Sequence, residues 1–419
     1  MDRDVSQPLT EGYPGSSLAG LAMHSPLKRI VKCRDVTPVA LAFVLGLGAA
    51  EPTGARLAFA APGNVSLRHE VQHAIDQGLG WLAKNQATNC AWSTPDHPDI
   101  TALALTAFRL KPGSGERANE PATETRGYAY LLDCRQPDGG IYRRDLPSYN
   151  TAVSLVALVF ASRPEYEPVI VKARQFIVGL QTGPREPGQT NDPFAGGIGY
   201  GKTDKRPDLS NTSLALEALA LSRRYVADKN LAGTNDLDWA AAIRFIQSCQ
   251  NLPAYNPASW ASDDAVNKGG FVYAPGHSMA GETNLPSGRI ALRSYGSMSY
   301  AGLLSYIYAN LRRDDPRVRA VVDWLRNNYT LEENPALGAQ GLFYYYHTLA
   351  KALTVYGTDT LETRDHREVD WREQLALKLI NLQRADGSWA NENNRWWEKD
   401  PALVTAYALI ALELVHGRL

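Results

Sequence analysis

Net charge is almost absent from this chain. Across 419 residues, 43 lysines and arginines are set against 44 aspartates and glutamates, a formal −1. That balance argues against nucleic acid or an anionic membrane surface as a partner. Cysteine is equally scarce. The four residues Cys33, Cys90, Cys134 and Cys249 are widely spaced and include no Cys-x-x-Cys pair. Neither a zinc ribbon nor a dithiol redox centre is therefore expected, and buried free thiols are the natural reading. Nothing in the sequence calls for a cofactor or a resident metal.

Long apolar runs are also rare. The longest lies over 36–50, VTPVALAFVLGLGAA, too short for a confident membrane span. Lys28, Arg29, Lys32 and Arg34 precede it, and Ala58-Phe59-Ala60 follows as an A-x-A cleavage pattern. Residues 1–61 are thus expected to be a polar leader plus a secretory signal, with Met23 as the true start and a secreted or periplasmic product. The alternative is a membrane anchor over 36–50. The mature chain is expected to have no integral span and to form one domain over 62–419.

What the chain does contain is a repeat. Six times a segment with helical periodicity reaches a loop, then enters a helix rich in Ala and Leu. Thr101, Thr151, Thr212, Ser299, Thr348 and Thr405 mark the starts of these second helices. ALALTAF (102–108), SLALEAL (213–219) and AYALIAL (406–412) are apolar on every side, as fully buried helices must be. The preceding helices, such as VIVKARQFIVGLQ (169–181) and RVRAVVDWLRNNY (317–329), are amphipathic. Six outer and six inner helices predict an all-α chain of stacked helix pairs in two concentric rings.

The loops repeat as well. Gln383-Arg384-Ala385-Asp386-Gly387-Ser388-Trp389 is the cleanest copy; Gln136 to Tyr142 and Gln86 to Trp92 keep the six-residue spacing from Gln to an aromatic. The Gln amide can satisfy carbonyls at a helix end, glycine permits a positive-φ turn, and the aromatic can wedge between repeats. This Gln-x-x-x-Gly-x-Trp pattern resembles the QW motif of squalene–hopene and oxidosqualene cyclases, whose α/α-toroid is shared by protein prenyltransferase β subunits. The resemblance runs from about residue 65 to the C-terminus. It implies an (α/α)6 toroid with QW-like loops and a central cavity near the inner-helix N-termini. The ligand it implies is an apolar isoprenoid or lipid.

The family's chemistry is not matched where it was sought. Class II cyclases protonate an alkene with the middle Asp of D-x-D-D-T-A. At the third inner helix the chain reads Asp208-Leu209-Ser210-Asn211-Thr212-Ser213, which keeps only the first acid. Asp208 is a catalytic candidate whose plain alternative is a helix cap. Prenyltransferases ligate zinc with Asp, Cys and His. Tyr345-Tyr346-His347-Thr348 resembles the His element, but Arg293 and Tyr295 stand at the other two positions. One imidazole does not make a zinc site. His347 is the second catalytic candidate, or a core histidine. The Gly-Cys-Gly-Glu-Gln of complement thioester domains is absent.

Residues immediately before the markers include Asn150, Asn211 and His347, which on the repeat should approach one cavity rim. With Tyr295, Tyr300, Tyr346, Trp396 and Trp397 they form the expected substrate-binding set, suited to an apolar or amphipathic ligand. Two other readings stand. A non-catalytic toroid could serve as a protein-interaction scaffold. A secreted glycan-active barrel could use loop carboxylates, for which Asp263 and Asp264 in the long loop 251–294 are the candidates.

Overall fold

The computed structural model describes residues 64–113, 121–186, 188–189, 191–201, 206–227 and 236–419. The expected leader, signal segment and possible anchor over 1–61 lie outside them. Among the described residues the chain is mostly helical, and no helix is long and apolar enough to cross a membrane.

Among the described residues, twelve helices of nine or more residues alternate along the chain. The odd-numbered ones are amphipathic: α1 (Val65–Lys84), α3 (Ala122–Asp133), α5 (Glu167–Gly179), α7 (Trp239–Gln247), α9 (Pro316–Asn327) and α11 (Trp371–Leu382). The even-numbered ones are α2 (Pro98–Leu110), α4 (Pro147–Ala161), α6 (Leu209–Leu221), α8 (Gly296–Tyr308), α10 (Leu342–Tyr356) and α12 (Pro401–His416). Every residue of α8 is buried, and so is α12 from Ala402 to Val415. The even helices pack in succession, α2 on α4, α4 on α6 and so on, until α12 packs back on α2. The odd helices lie against them, and α1 also meets α11 and α12.

The starts of these helices are written locally. Pro98, Pro147, Pro316 and Pro401 occupy first-turn positions, where a missing N–H costs nothing. Asp208, Asp238, Asp315, Asp370 and Asp400 accept from first-turn amides as N-caps. Two short antiparallel hairpins interrupt the all-α expectation. Glu282–Asn284 pairs with Ile290–Leu292, and Thr360–Glu362 pairs with Glu368–Asp370.

The loop repeat has a hydrogen-bonded basis. The marker hydroxyls of Thr101, Thr151, Thr212, Ser299 and Thr405 accept from the backbone N–H of Trp92, Ile141, Ile198, Phe271 and Trp389 at 2.9–3.1 Å. Each pins its loop to the start of its inner helix. Gln136 Nε2 stays within its own repeat, donating to Cys134 O at its helix end and to Tyr142 O, whereas other Gln amides bridge repeats. Gln383 Nε2 donates to Gly387 O and to Ala74 O of α1, and Gln250 Nε2 donates to Gly269 O and to Arg317 O of α9. Gly269 and Gly387 (both φ +90°) turn the loop against the next outer helix. A Cβ at Gly269 would stand 2.1 Å from Ala320 O. In the copy starting at Gln136 the positive φ falls on Gly139 rather than Gly140, and in the first copy Cys90 adopts it at +71°.

The aromatic ends of these loops are wedges. Trp92 and Trp389 are fully buried, and each indole N–H reaches a carbonyl of its own outer helix at 2.8 Å, Leu82 O and Leu379 O. Trp389 lies over Gly78 of α1, where a Cβ would approach its ring to 2.8 Å.

Candidate functional site

Residues three, four and seven apart share one face of a helix. On the inner helices that spacing selects Leu103, Thr106 and Leu110 of α2, Tyr149, Val153, Val156 and Phe160 of α4, and Leu214 and Glu217 of α6. It also selects Tyr344, His347 and Lys351 of α10, with Tyr407, Ile410 and Leu414 of α12. Together they line a slot between the even-numbered helices. The cavity between these walls measures only about 40 Å³. The slot is narrow and chiefly apolar, below the size of ready-made ligand pockets, and it widens only if lining side chains turn.

Asp99 precedes Leu103 by one helical turn, on the same face of α2 but beyond the residues that line the slot. It is 6% exposed. Burial pushes its carboxyl up to about 7, against the pull of the Asp99 and Ile100 backbone amides, with help from the Asp400 charge. Oδ1 has no hydrogen-bond partner among the described residues. Its nearest basic neighbour is His97 Nδ1 at 4.0 Å, and burial lowers that imidazole's affinity for a proton despite Asp96 and Asp145. At neutral pH a substantial fraction of Asp99 is therefore a protonated acid inside an apolar wall. The hydroxyls of Tyr149 and Tyr407 stand 3.2 Å apart. Both phenols are pushed up, first by burial and in part by the Asp99 charge.

Seven residues further along the helices, about 10 Å down the slot, the character changes. Lys351 Nζ and Glu217 Oε2 form a buried ion pair across the axis. His347, one turn before Lys351, rests against the Tyr407 ring at 4.9 Å. Burial, reinforced by the Lys351 ammonium, holds the imidazole well below its ordinary range. A hydrogen bond with the Tyr407 backbone opposes the shift without overcoming it. Nδ1 has no partner among the described residues.

The expected site residues divide. His347 lines the slot. Asn150 and Asn211, one residue before their markers, do not. Asn150 is spent on backbone, accepting from Asp99 N at 3.1 Å and donating to Asp145 O at 2.8 Å. Asn211 Nδ2 donates to Asp208 Oδ2 at 2.7 Å. The cause is a shift of frame. Thr348 bonds only within its own helix, to Tyr344 O and Tyr345 O, and has no loop N–H to hold. By their place along the slot, Tyr344 and Lys351 match Tyr149 and Val156 only if residue 346 stands at the marker position. His347 thus faces the axis, whereas Asn150 and Asn211 point between helices.

Asp208 caps α6, with Oδ1 accepting from Asn211 N at 2.8 Å. The phenols of Tyr273, Tyr295 and Tyr344 are raised first by burial, and each also feels the Asp208 charge. Tyr295 and Tyr300 are buried in the wall of α8, outside the slot lining. Tyr346 points outward, its hydroxyl donating to Leu331 O at 2.6 Å. Trp396 and Trp397 belong to the loop before α12 and are 41% and 47% exposed, which removes them from the slot. Trp397 meets His97 edge-on at 4.2 Å.

The loop acids do not form a catalytic pair. Asp264 closes a turn, accepting from the backbone of Val266 and Asn267 and from Asn267 Nδ2. Burial opposes its ionisation, but these bonds and that of Ser262 win and hold it below the usual carboxylate range. No cluster of three or more metal-ligating side chains occurs among the described residues. Cys134 and Cys249 are buried free thiols and Cys90 is partly exposed.

Asp99 is the group that sequence reasoning missed, and a signal for it exists. The six residues His97-Pro98-Asp99-Ile100-Thr101-Ala102 place a single acid two before the marker Thr. That is where D-x-D-D-T-A has its middle Asp. The third inner helix has an acid only at the first position of that pattern, and the first repeat has one at the middle position.

No known protein family matches the sequence, and no curated protein is significantly similar to it. Among solved structures, the type II terpene cyclase MstE from Scytonema in complex with geranylgeranyl dihydroxybenzoate is similar. It has 14% identity and a TM-score of 0.48, over 85% of this chain and 100% of that one. The apo form of MstE gives 13% and 0.48, over 83% and 98%. An ent-copalyl diphosphate synthase from Streptomyces platensis gives 15% and 0.20, over 91% and 99%. Identities this low say nothing of chemistry.

Proposed function

We propose that this chain is a terpenoid-cyclase-like (α/α)6 toroid that performs acid-initiated chemistry on an apolar isoprenoid, with Asp99 as the proton donor. The observation that carries the reading is a buried carboxyl, raised to about 7 and so about half protonated at neutral pH, with an unpartnered oxygen one helical turn beyond an apolar slot. Such an acid can deliver its proton to an alkene carbon, leaving a carboxylate and a carbocation. The rings of Tyr149, Tyr344 and Tyr407 supply π-faces toward a cation in the slot. Ring closure moves the positive charge to a new carbon, and loss of a proton from a neighbouring carbon back to the Asp99 carboxylate then ends the reaction with atoms and charge balanced. Asp208 then serves as a cap, and His347 as a polar contact within the slot. The leader reading adds that the protein is exported, which N-terminal sequencing of the mature chain checks.

The test is incubation of the purified protein with linear isoprenoid alcohols, followed by gas chromatography and mass spectrometry. The wild type should yield isomerised or cyclised product, and Asp99→Asn should reduce it by about 10²–10⁴-fold. Undiminished product from Asp99→Asn, or none from the wild type, would overturn the proposal. A second reading, a non-catalytic scaffold, is favoured by the slot's narrowness. It requires that no isoprenoid enter and that Asp99 be chemically idle.

A further inference from the structure

The far end of the slot reports on the other end of the ligand. Glu217 and Lys351 are the charged residues of the lining, and they neutralise one another. No cation there is left over for a diphosphate or a carboxylate. An anionic group beside Lys351 would also face the Glu217 carboxylate in a low-dielectric setting, where like charges repel strongly. The end group that fits is uncharged.

The polar atoms narrow it further. His347 is buried, lines the slot and is neutral. Its ring hydrogen-bonds the Tyr407 backbone while Nδ1 has no partner among the described residues. In a neutral imidazole that donates through one nitrogen, the other is an acceptor. One helical turn away, the ammonium of Lys351 keeps donor capacity beyond its bond to Glu217. Thr106 lies at the same level, but its hydroxyl is taken by Ala102 O at 2.9 Å. An unpartnered buried acceptor beside a donor matches a hydroxyl group, which gives one hydrogen bond and receives another. A carbonyl or an ether can satisfy only the donor.

We infer that His347 and Lys351 form a binding site for the terminal hydroxyl of an apolar alcohol, whose chain runs along the slot toward Asp99. This rests on the slot being a ligand site. It assigns the class of ligand as an uncharged prenyl alcohol rather than a prenyl diphosphate. The rise between the levels of Asp99 and Lys351 along the helices, about 10 Å, matches the length of a short chain such as geraniol, which the slot admits only once its lining side chains turn.

Equilibrium binding to the full-length protein tests the assignment, using geraniol, geranyl methyl ether and geranyl diphosphate as probes. The measurements are made on Asp99→Asn, which cannot turn the probes over, so that loss of acid chemistry and loss of binding are read separately. Geraniol should bind about tenfold more tightly than the ether, because the ether leaves the buried acceptor unpartnered. The diphosphate should bind more weakly than geraniol. His347→Phe should bring geraniol down to the affinity of the ether and leave the ether unchanged. His347→Gln, which keeps an acceptor, should preserve the preference and guards against a folding defect in the Phe variant. Equal binding of alcohol and ether, tighter binding of the diphosphate, or a preference that survives His347→Phe would each overturn the inference. So would failure of all three probes to bind. Wild-type protein that binds geraniol but forms no product would sink the role of Asp99 and leave this site standing.

Discussion

Replacing Asp99 by Asn should stabilise the protein relative to the wild type by an amount that grows as pH rises. The Asp99 carboxyl is raised from 3.8 to about 7, chiefly by burial. Between those limits the folded state holds a proton that the unfolded chain has released. Stability therefore falls with rising pH through this window and is flat above it. Below about pH 4 both states are protonated and the penalty vanishes. At 1.36 kcal/mol per pH unit, the full window is worth about 4 kcal/mol. Asn does not titrate. Whatever constant cost it brings, about 1–3 kcal/mol if its amide lacks a partner, cancels when one variant is followed across pH. Urea unfolding of wild type and Asp99→Asn at pH 4, 5.5, 7 and 8.5 supplies the curve. The stability of the variant minus that of the wild type should climb by about 4 kcal/mol from the first point to the last, with its midpoint between pH 5 and 6. A flat difference, or one that falls with pH, would show that Asp99 is not a protonated acid in the folded protein. The proposed chemistry would lose its proton with it.

Three further outcomes follow from the geometry. Trp389→Ala should cost about 3–5 kcal/mol in denaturant unfolding, since it removes a fully buried wedge and its bond to Leu379 O; a cost under about 1 kcal/mol contradicts the wedge. Asp208→Ala should lose about 0.5–2 kcal/mol and Asp208→Asn less, because Asn caps as well as Asp, with activity retained in both. Abolished activity in a fully stable Asp208→Asn would restore it as a chemical group. Iodoacetamide with peptide mapping should label Cys90 in the folded protein and spare Cys134 and Cys249, whose thiols burial pushes up.

Much of the fold was legible because its signals are local and repeated. Five of the six marker residues bear the same hydroxyl-to-backbone bond, so Thr101, Thr151, Thr212, Ser299 and Thr405 were read from a real constraint. Thr348 misled because Leu and Ala follow it as in the other copies, while its hydroxyl bonds its own helix. A two-residue error turns a helix by more than half a revolution, enough to move Asn150 and Asn211 off the axis while His347 stays on it. Trp396 and Trp397 looked like cavity residues by composition alone, and nothing in the sequence marks them as half exposed. The Glu217–Lys351 pair was illegible for another reason: 134 positions separate its members, and each sits singly in an apolar helix. Asp99 was legible in the first repeat. A lone acid beside the marker does not match the full acidic pattern, yet burial of that one carboxyl is what raises its proton affinity.

Closure of the helix array has a consequence for how this molecule can be cut. In an open solenoid the terminal units need special polar faces, and units can be lost from an end one at a time. Here the final inner helix touches the first inner helix and the first outer one, so the two ends of the array are neighbours. Removing residues 401–416 would strip its interfaces with α1, α2, α10 and α11 at once and expose the apolar flanks of α2 and α10. Joining the ends and opening the chain between other repeats would leave every interface intact. Permuted chains should therefore fold where truncated ones do not, and during synthesis the slot cannot be walled in until the last helix has left the ribosome.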